Sequence, residues 1–204
     1  MVRLKIFSLV FAVLLIFSSA VCSQEYESEE AKEGKFKKFM TLAEKGDAEA
    51  QCDVGYCYYN GYGVKRNNAR AFKWWKKSAE QGNADAQYNL GLCYGKGEGV
   101  PVDRHEAVRW IGTSAAQGHP DAEYNLGLCF FNAFGGLPED KAEAVKWYAK
   151  SAEQGNPDAQ YALGVCYDKG EGVERNEEEA VKWLVKSAEQ GNPDARALLE
   201  SKGL

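Results

Sequence analysis

The chain has 204 residues, 45% of them hydrophobic, and a net charge of −5. That length suits one compact domain or a short repeat array, and that apolar content suits a folded chain rather than a disordered one. With an acidic balance and no run of Lys or Arg longer than two residues, nothing offers a grip on nucleic-acid phosphates, so that partner class is set aside.

Arg3 and Lys5 precede a 12-residue apolar run, IFSLVFAVLLIF at 6–17, and then the small-residue stretch SSAVCS. A membrane-spanning helix needs about 20 apolar residues. Residues 1–23 are therefore read as a secretory signal peptide cut after Cys22 or Ser23, which sends the chain to the periplasm or the medium. A lipidated Cys22 is the weaker alternative, because Val21 is bulky where that signal takes a small residue. With Arg3 and Lys5 removed, 23 basic residues face 30 acidic ones, a net charge of −7, and no second stretch is apolar enough for a stable membrane span. Residues 24–35 are acidic and nearly free of aliphatic side chains, and are expected to form a flexible leader.

From residue 36 to 204 the chain repeats itself. KSAEQGN occurs at 77–83, 150–156 and 186–192, with TSAAQGH at 113–119. Trp74, Trp110, Trp147 and Trp183 are spaced 36, 37 and 36 apart, and Cys57, Cys93, Cys129 and Cys166 are spaced 36, 36 and 37 apart. The one extra residue falls in FNAFGGLPED at 131–140, a loop insertion of the kind repeat arrays tolerate. Each unit holds two helical patterns. The first, as in DAQYNLGLCYGK at 85–96, places Ala86, Leu90, Cys93 and Tyr94 on one face, with Asn83 as its cap. The second starts at Asn67, Asp103, Asp140 and Asn176, and Glu106, Glu143 and Glu179 three residues on predict reciprocal capping boxes. Glycine closes it at Gly82, Gly118, Gly155 and Gly191. Gly55, Gly91, Gly127 and Gly164 sit inside first helices at a cost of about 1 kcal/mol each against Ala. A repeated cost predicts close helix crossings, with small residues such as Ala115 facing the glycines. Phe36–Gly46 matches a second helix without its first and Asp194–Leu204 a first helix without its second, so about ten helices are expected: one, four pairs and one.

These units resemble the Sel-one-like repeat (SLR) family of the tetratricopeptide superfamily, with Ala86, Leu90, Gly91, Tyr94, Gly97, Gly99, Val100, Asp103, Ala107, Trp110, Ala115 and Gly118 on its pattern. The resemblance spans 36–204. It implies an all-α, right-handed solenoid of antiparallel helix pairs with a concave inner surface, acting as a holder of other proteins. A cysteine-rich exported branch of the family has been linked with penicillin binding or hydrolysis. The disulfides of that branch join the two helices of a unit, and no second-helix cysteine is present here to serve one.

Candidate chemistry fares poorly against packing. Cys57 and its copies read as small core residues, and neighbouring copies should stand about 10 Å apart, beyond the about 7 Å a disulfide allows. No Cys or His spacing suits zinc, and no cofactor is implied. Ser78, Ser114, Ser151 and Ser187 are one repeat position without a histidine on the same element. GKGEGV at 95–100 recurs as a turn rather than a phosphate loop. The repeated Trp is expected in the core, while Trp75, unique to the first unit, is a candidate for exposure. By analogy with the tetratricopeptide groove, the binding face is expected on the first helices: Tyr88, Tyr124 and Tyr161, then Tyr56, Leu92, Leu128 and Val165. The tyrosines packing between adjacent units is an equally open alternative. The apolar Leu92 and Leu128 favour an internal or apolar ligand segment over a free C-terminus. The function read from the chain is an exported, non-catalytic scaffold for a protein or peptide; the alternatives are a β-lactam-binding hydrolase and a structural spacer.

Overall fold

The computed structural model of the protein describes residues 27–204, so the expected signal peptide lies outside the described residues. Ten α-helices follow one another there: α1 (Glu29–Glu44), α2 (Ala48–Asn60), α3 (Asn68–Glu80), α4 (Ala84–Lys96), α5 (Arg104–Ala115), α6 (Pro120–Phe131), α7 (Lys141–Glu153), α8 (Pro157–Lys169), α9 (Glu177–Glu189) and α10 (Pro193–Ser201). They form sequential antiparallel pairs, α2/α3, α4/α5, α6/α7 and α8/α9, flanked by α1 and α10. The architecture is an all-helical solenoid.

The repeated heptapeptide carries four structural jobs. Its serine is fully buried and donates its hydroxyl to a first-helix carbonyl: Ser78 to Ala48 (2.6 Å), Ser114 to Ala84 (2.8 Å), Ser151 to Pro120 (2.8 Å) and Ser187 to Pro157 (2.7 Å). Its glutamine donates to the side chain of a buried residue on that first helix, as Gln81 does to Gln51 at 2.8 Å and Gln117 to Gln87 at 2.7 Å. Its glycine takes a left-handed conformation, φ 95° at Gly82 and 94° at Gly155, which only glycine enters without strain. Its asparagine caps the next helix, Asn83 accepting from Ala86 N at 2.8 Å.

Three expectations change. The leader was expected to reach residue 35, yet α1 begins at Glu29. Ser28 caps it through Ala31 N at 3.2 Å, and Glu29 and Glu30 lie in the first turn, where the helix dipole favours negative charge. Gly63 of the first interhelix turn rests on the Lys32 carbonyl, so that turn packs on this early part of α1. The capping boxes form only their forward half. Asp103 accepts from Glu106 N, but its own N–H already donates to the Tyr94 carbonyl at 2.9 Å. Glu106, Glu143 and Glu179 instead pair with Arg109, Lys146 and Lys182 one turn on.

The third change is the register of the core. The fully packed position is the residue after the repeated Trp: Trp75 is 2% exposed, Ile111 5%, Tyr148 2% and Leu184 0%. These side chains, not Ala115, lie on the interior glycines. A Cβ on Gly91 would come 2.7 Å from Ile111, on Gly127 2.6 Å from Tyr148 and on Gly164 2.8 Å from Leu184, while on Gly55 it would enter the Trp75 ring. The glycines thus exist to seat a large side chain flat on the partner helix. Trp74, Trp147 and Trp183 are only half-buried and are covered by lysines, Lys77, Lys150 and Lys186, at 4.3, 3.9 and 4.1 Å.

Candidate binding face

Along α4, Asp85, Tyr88, Leu92 and Lys96 fall three and four residues apart and share one face. On α6 the same places hold Asp121, Tyr124 and Leu128, with Asn132 as the C-cap, and on α8 Asp158, Tyr161, Val165 and Lys169. The stacked first helices therefore present four parallel rows: acidic at the helix starts, then aromatic, then apolar, then Lys or Asn at the helix ends. In α2 the rows read Glu49, Cys52, Tyr56 and Asn60.

Recesses open between successive first helices. One of about 280 Å³ lies between α4 and α6, floored by Ile111 and Ala107 and walled by Leu92, Leu128 and Phe134, with Gly95 at its edge. A second of about 280 Å³ lies between α6 and α8, bounded by Tyr124, Leu128, Phe131, Tyr148, Tyr161 and Val165. A third of about 70 Å³ lies between α2 and α4, where Tyr59 stands at the place Gly95 takes one unit later. Leu92 is shared by the first and third recesses and Leu128 by the first two, so the recesses form one row along the face.

The seven predicted site residues divide between two roles. Leu92, Leu128 and Val165 are half-buried recess walls. Tyr124 and Tyr161 line the second recess, and both also pack on the following unit. Tyr88 is a joint residue: its hydroxyl accepts from Asn125 Nδ2 at 3.2 Å and its ring stacks on His119 at 4.9 Å. Tyr56 is 40% exposed, and its hydroxyl accepts from Asn89 Nδ2 at 2.8 Å. Burial, and then the carboxylate of Asp121, pushes the Tyr88 phenol up to about 12. Burial first, with smaller contributions from Asp85 and Asp121, raises Tyr56; burial and Asp158 raise Tyr124. The sequence pattern did not point to Gly95, Asn125, Asn132 and Phe134. Gly95 breaks the aromatic place held by Tyr59 and Phe131, and Phe134 belongs to the inserted loop, whose Ala133 takes a left-handed φ of 53°; both departures are visible as breaks in the repeat.

Reactive groups are committed elsewhere. Cys52, Cys57, Cys93, Cys129 and Cys166 are buried and unpaired, and burial pushes their thiols up to about 12, 11, 12, 11 and 11. A thiol so shifted is a poor nucleophile at neutral pH. His119 caps α6, Nδ1 accepting from Ala122 N at 3.2 Å, while Nε2 faces Asp85 at 3.1 Å. Among the described residues no group of three or more His, Cys, Asp and Glu is placed to hold a metal ion, and no helix is long and apolar enough to cross a membrane.

Paired helices, capped alike and joined through the same serine and glutamine contacts, define a helical repeat protein. The Sel1 repeat matches at residues 48–83, 84–119, 120–156 and 157–192, and the chain belongs to that family. It is similar to a protective antigen of uropathogenic Escherichia coli with the SLR fold, at 40% identity over 83% of this chain and 37% of that one, TM-score 0.76. It is also similar to a Sel1 repeat protein from Oxalobacter formigenes, at 34% identity over 83% of this chain and 49% of that one, TM-score 0.77. The chain thus spans under half the length of either protein. Cysteine-rich protein B of Helicobacter pylori, 21% identical over 66% of this chain and 96% of that one, TM-score 0.52, shares the fold. No curated protein sequence matches the chain.

Proposed function

We propose that this Sel1 repeat protein is an exported, non-catalytic scaffold that holds a segment of another protein along its concave, first-helix face. The observation that carries this reading is the row of recesses with shared walls at Leu92 and Leu128. A contiguous apolar recess in an otherwise polar surface favours a macromolecular contact. Export rests on the 1–23 signal read from the sequence. A hydrolase reading is disfavoured because each repeated serine already donates its hydroxyl to a buried carbonyl and each described thiol is shielded.

The test is quantitative capture from the exported fraction with immobilised wild-type chain, a Leu92→Arg/Leu128→Arg variant, and a control altered at exposed Glu177 of α9. A protein enriched by wild type and control, and lost at least about tenfold by the double variant, is the expected result. Equal enrichment by all three, or none by any, would favour the spacer reading. Turnover of a chromogenic cephalosporin by the pure chain would favour the hydrolase.

A further inference from the structure

The rows on the first-helix face define what kind of segment fits. The acidic row, Glu49, Asp85, Asp121 and Asp158, is exposed at every step. Among the described residues no Lys or Arg pairs with any of the four; Asp85 faces His119 Nε2 at 3.1 Å, and Asp121 and Asp158 receive the neutral amides of Asn156 and Asn192, at 2.7 and 3.1 Å. Asp53, one turn on from Glu49, adds to the row. Its carboxyl is raised by burial first and then by Glu49, Asp47 and Asp85, and the tyrosine hydroxyls beside the row feel the same negative field. The acidic row therefore carries negative charge without a Lys or Arg partner on the helix-start side of the tyrosines, while Lys96 lines the opposite end of the first and third recesses.

The recesses set the second requirement. At about 280 Å³ each, the two larger ones fall just below the range of about 300–1,000 Å³ typical of small-molecule clefts. They suit single large side chains. They lie one repeat apart, about 10 Å by helix packing. A peptide in the polyproline-II form rises about 3.1 Å per residue and repeats its facing every third residue. Residues i and i+3 thus stand about 9 Å apart on one side, matching two neighbouring recesses across the Leu128 ridge.

Resting on the scaffold reading, we propose that the bound segment is an extended basic peptide, with two large apolar side chains three residues apart seated in the recesses either side of Leu128 and with Lys or Arg directed at Asp85, Asp121 and Asp158. Gly95 stands at the edge of the first recess. A Cβ there would meet only Ala107, at an ordinary 3.7 Å. At the equivalent place Tyr59 accompanies a recess of about 70 Å³ and Phe131 one of about 280 Å³.

The experiment uses fluorescence polarisation with short labelled peptides and the whole mature chain. The reference peptide carries two phenylalanines three residues apart among lysines. It is expected to bind saturably, and to weaken severalfold when salt rises from about 0.05 to 0.5 M. Replacing both phenylalanines by serine, or all lysines by glutamate, should each cost at least about tenfold. Gly95→Tyr plugs the first recess and should cost at least about tenfold with an unchanged or higher melting temperature, since it removes a helix-interior glycine. Asp85→Asn/Asp121→Asn/Asp158→Asn should flatten the salt dependence. Equal binding by the glutamate peptide would overturn the basic preference, and equal binding by Gly95→Tyr would overturn the anchoring recess. Failure of the reference peptide, alongside a partner captured in a Leu92- and Leu128-dependent way, would overturn this proposal and leave the scaffold reading standing. Loss of that capture contrast is what would remove the scaffold reading itself.

Discussion

Trp74 and Trp75 are neighbours on α3 with opposite surroundings. Trp75 lies in the joint between α2 and α3, its ring against Gly55 and edge-on to Tyr56 at 5.6 Å. Trp74 shows one face to Lys77 and is only half-buried. Trp75→Ala should lower stability by about 3–5 kcal/mol, because a cavity opens where the helix cannot collapse. Trp74→Ala should cost about 1–2 kcal/mol, a partial ring face and one cation–π contact. Chemical denaturation of both variants checks the order, and a larger loss at Trp74 would contradict the register. The same reasoning separates glycines: Gly127→Ala drives a methyl into Tyr148 and should destabilise, whereas Gly95 has room.

Between elements, the glutamine ladder is the joint that repeats, and the third unit breaks it. Gln51, Gln87 and Gln160 each donate to a carbonyl of the preceding helix, Ala43, Ala79 and Ala152, at 3.1, 3.1 and 3.2 Å. Glu123 takes that place on α6, 4% exposed, and accepts from Gln154 at 2.7 Å. An ionised carboxylate has no hydrogen to offer the Ala115 carbonyl. Burial raises the Glu123 carboxyl above its ordinary 4.5. A carboxyl raised on folding binds more protons folded than unfolded between its two titrations. Glu123 therefore weakens the fold most above its folded-state value, and the penalty disappears as pH falls towards and below 4.5. Glu123→Gln should restore the ladder and add about 1 kcal/mol at neutral pH. Melting curves of the two proteins should converge on acidification to about pH 4; a constant gap would mean that the carboxylate is not the cause.

At the scale of the molecule, each pair touches only its neighbours, so stability accumulates by stacking. Helix α10 covers Leu184, Tyr161 and Val181 with Ala195, Leu198 and Leu199, and Lys202 reaches back to Asp168 at 2.6 Å. Deleting residues 193–204 should uncover that face, lower the melting temperature by several degrees and promote self-association. Light scattering after gel filtration reads the second effect. A monodisperse truncated chain with an unchanged melting temperature would show that the last joint contributes nothing.

Helix number, pairing, caps and turns were legible in the amino-acid sequence because each is a local choice written four times. Asn83 before α4, Pro157 at the start of α8 and the left-handed Gly97 act within a few residues of themselves, and repetition separates them from chance. The first-helix face was legible as periodicity, because Leu92, Leu128 and Val165 recur at one repeat position four residues after the tyrosines. Three things needed the packed molecule. Whether Trp74 or Trp75 faces the core depends on a rotation of about 100° around α3, and both side chains are equally apolar. Whether Glu106 closes a capping box depends on a carbonyl well before its cap in the chain, at Tyr94, taking the cap's N–H first. The recesses depend on the distance between helices some 36 residues apart, where the missing side chain of Gly95 and the inserted Phe134 meet across the same gap. Local propensity speaks for one residue and its turn; an empty volume belongs to several elements at once, and only their docking creates it.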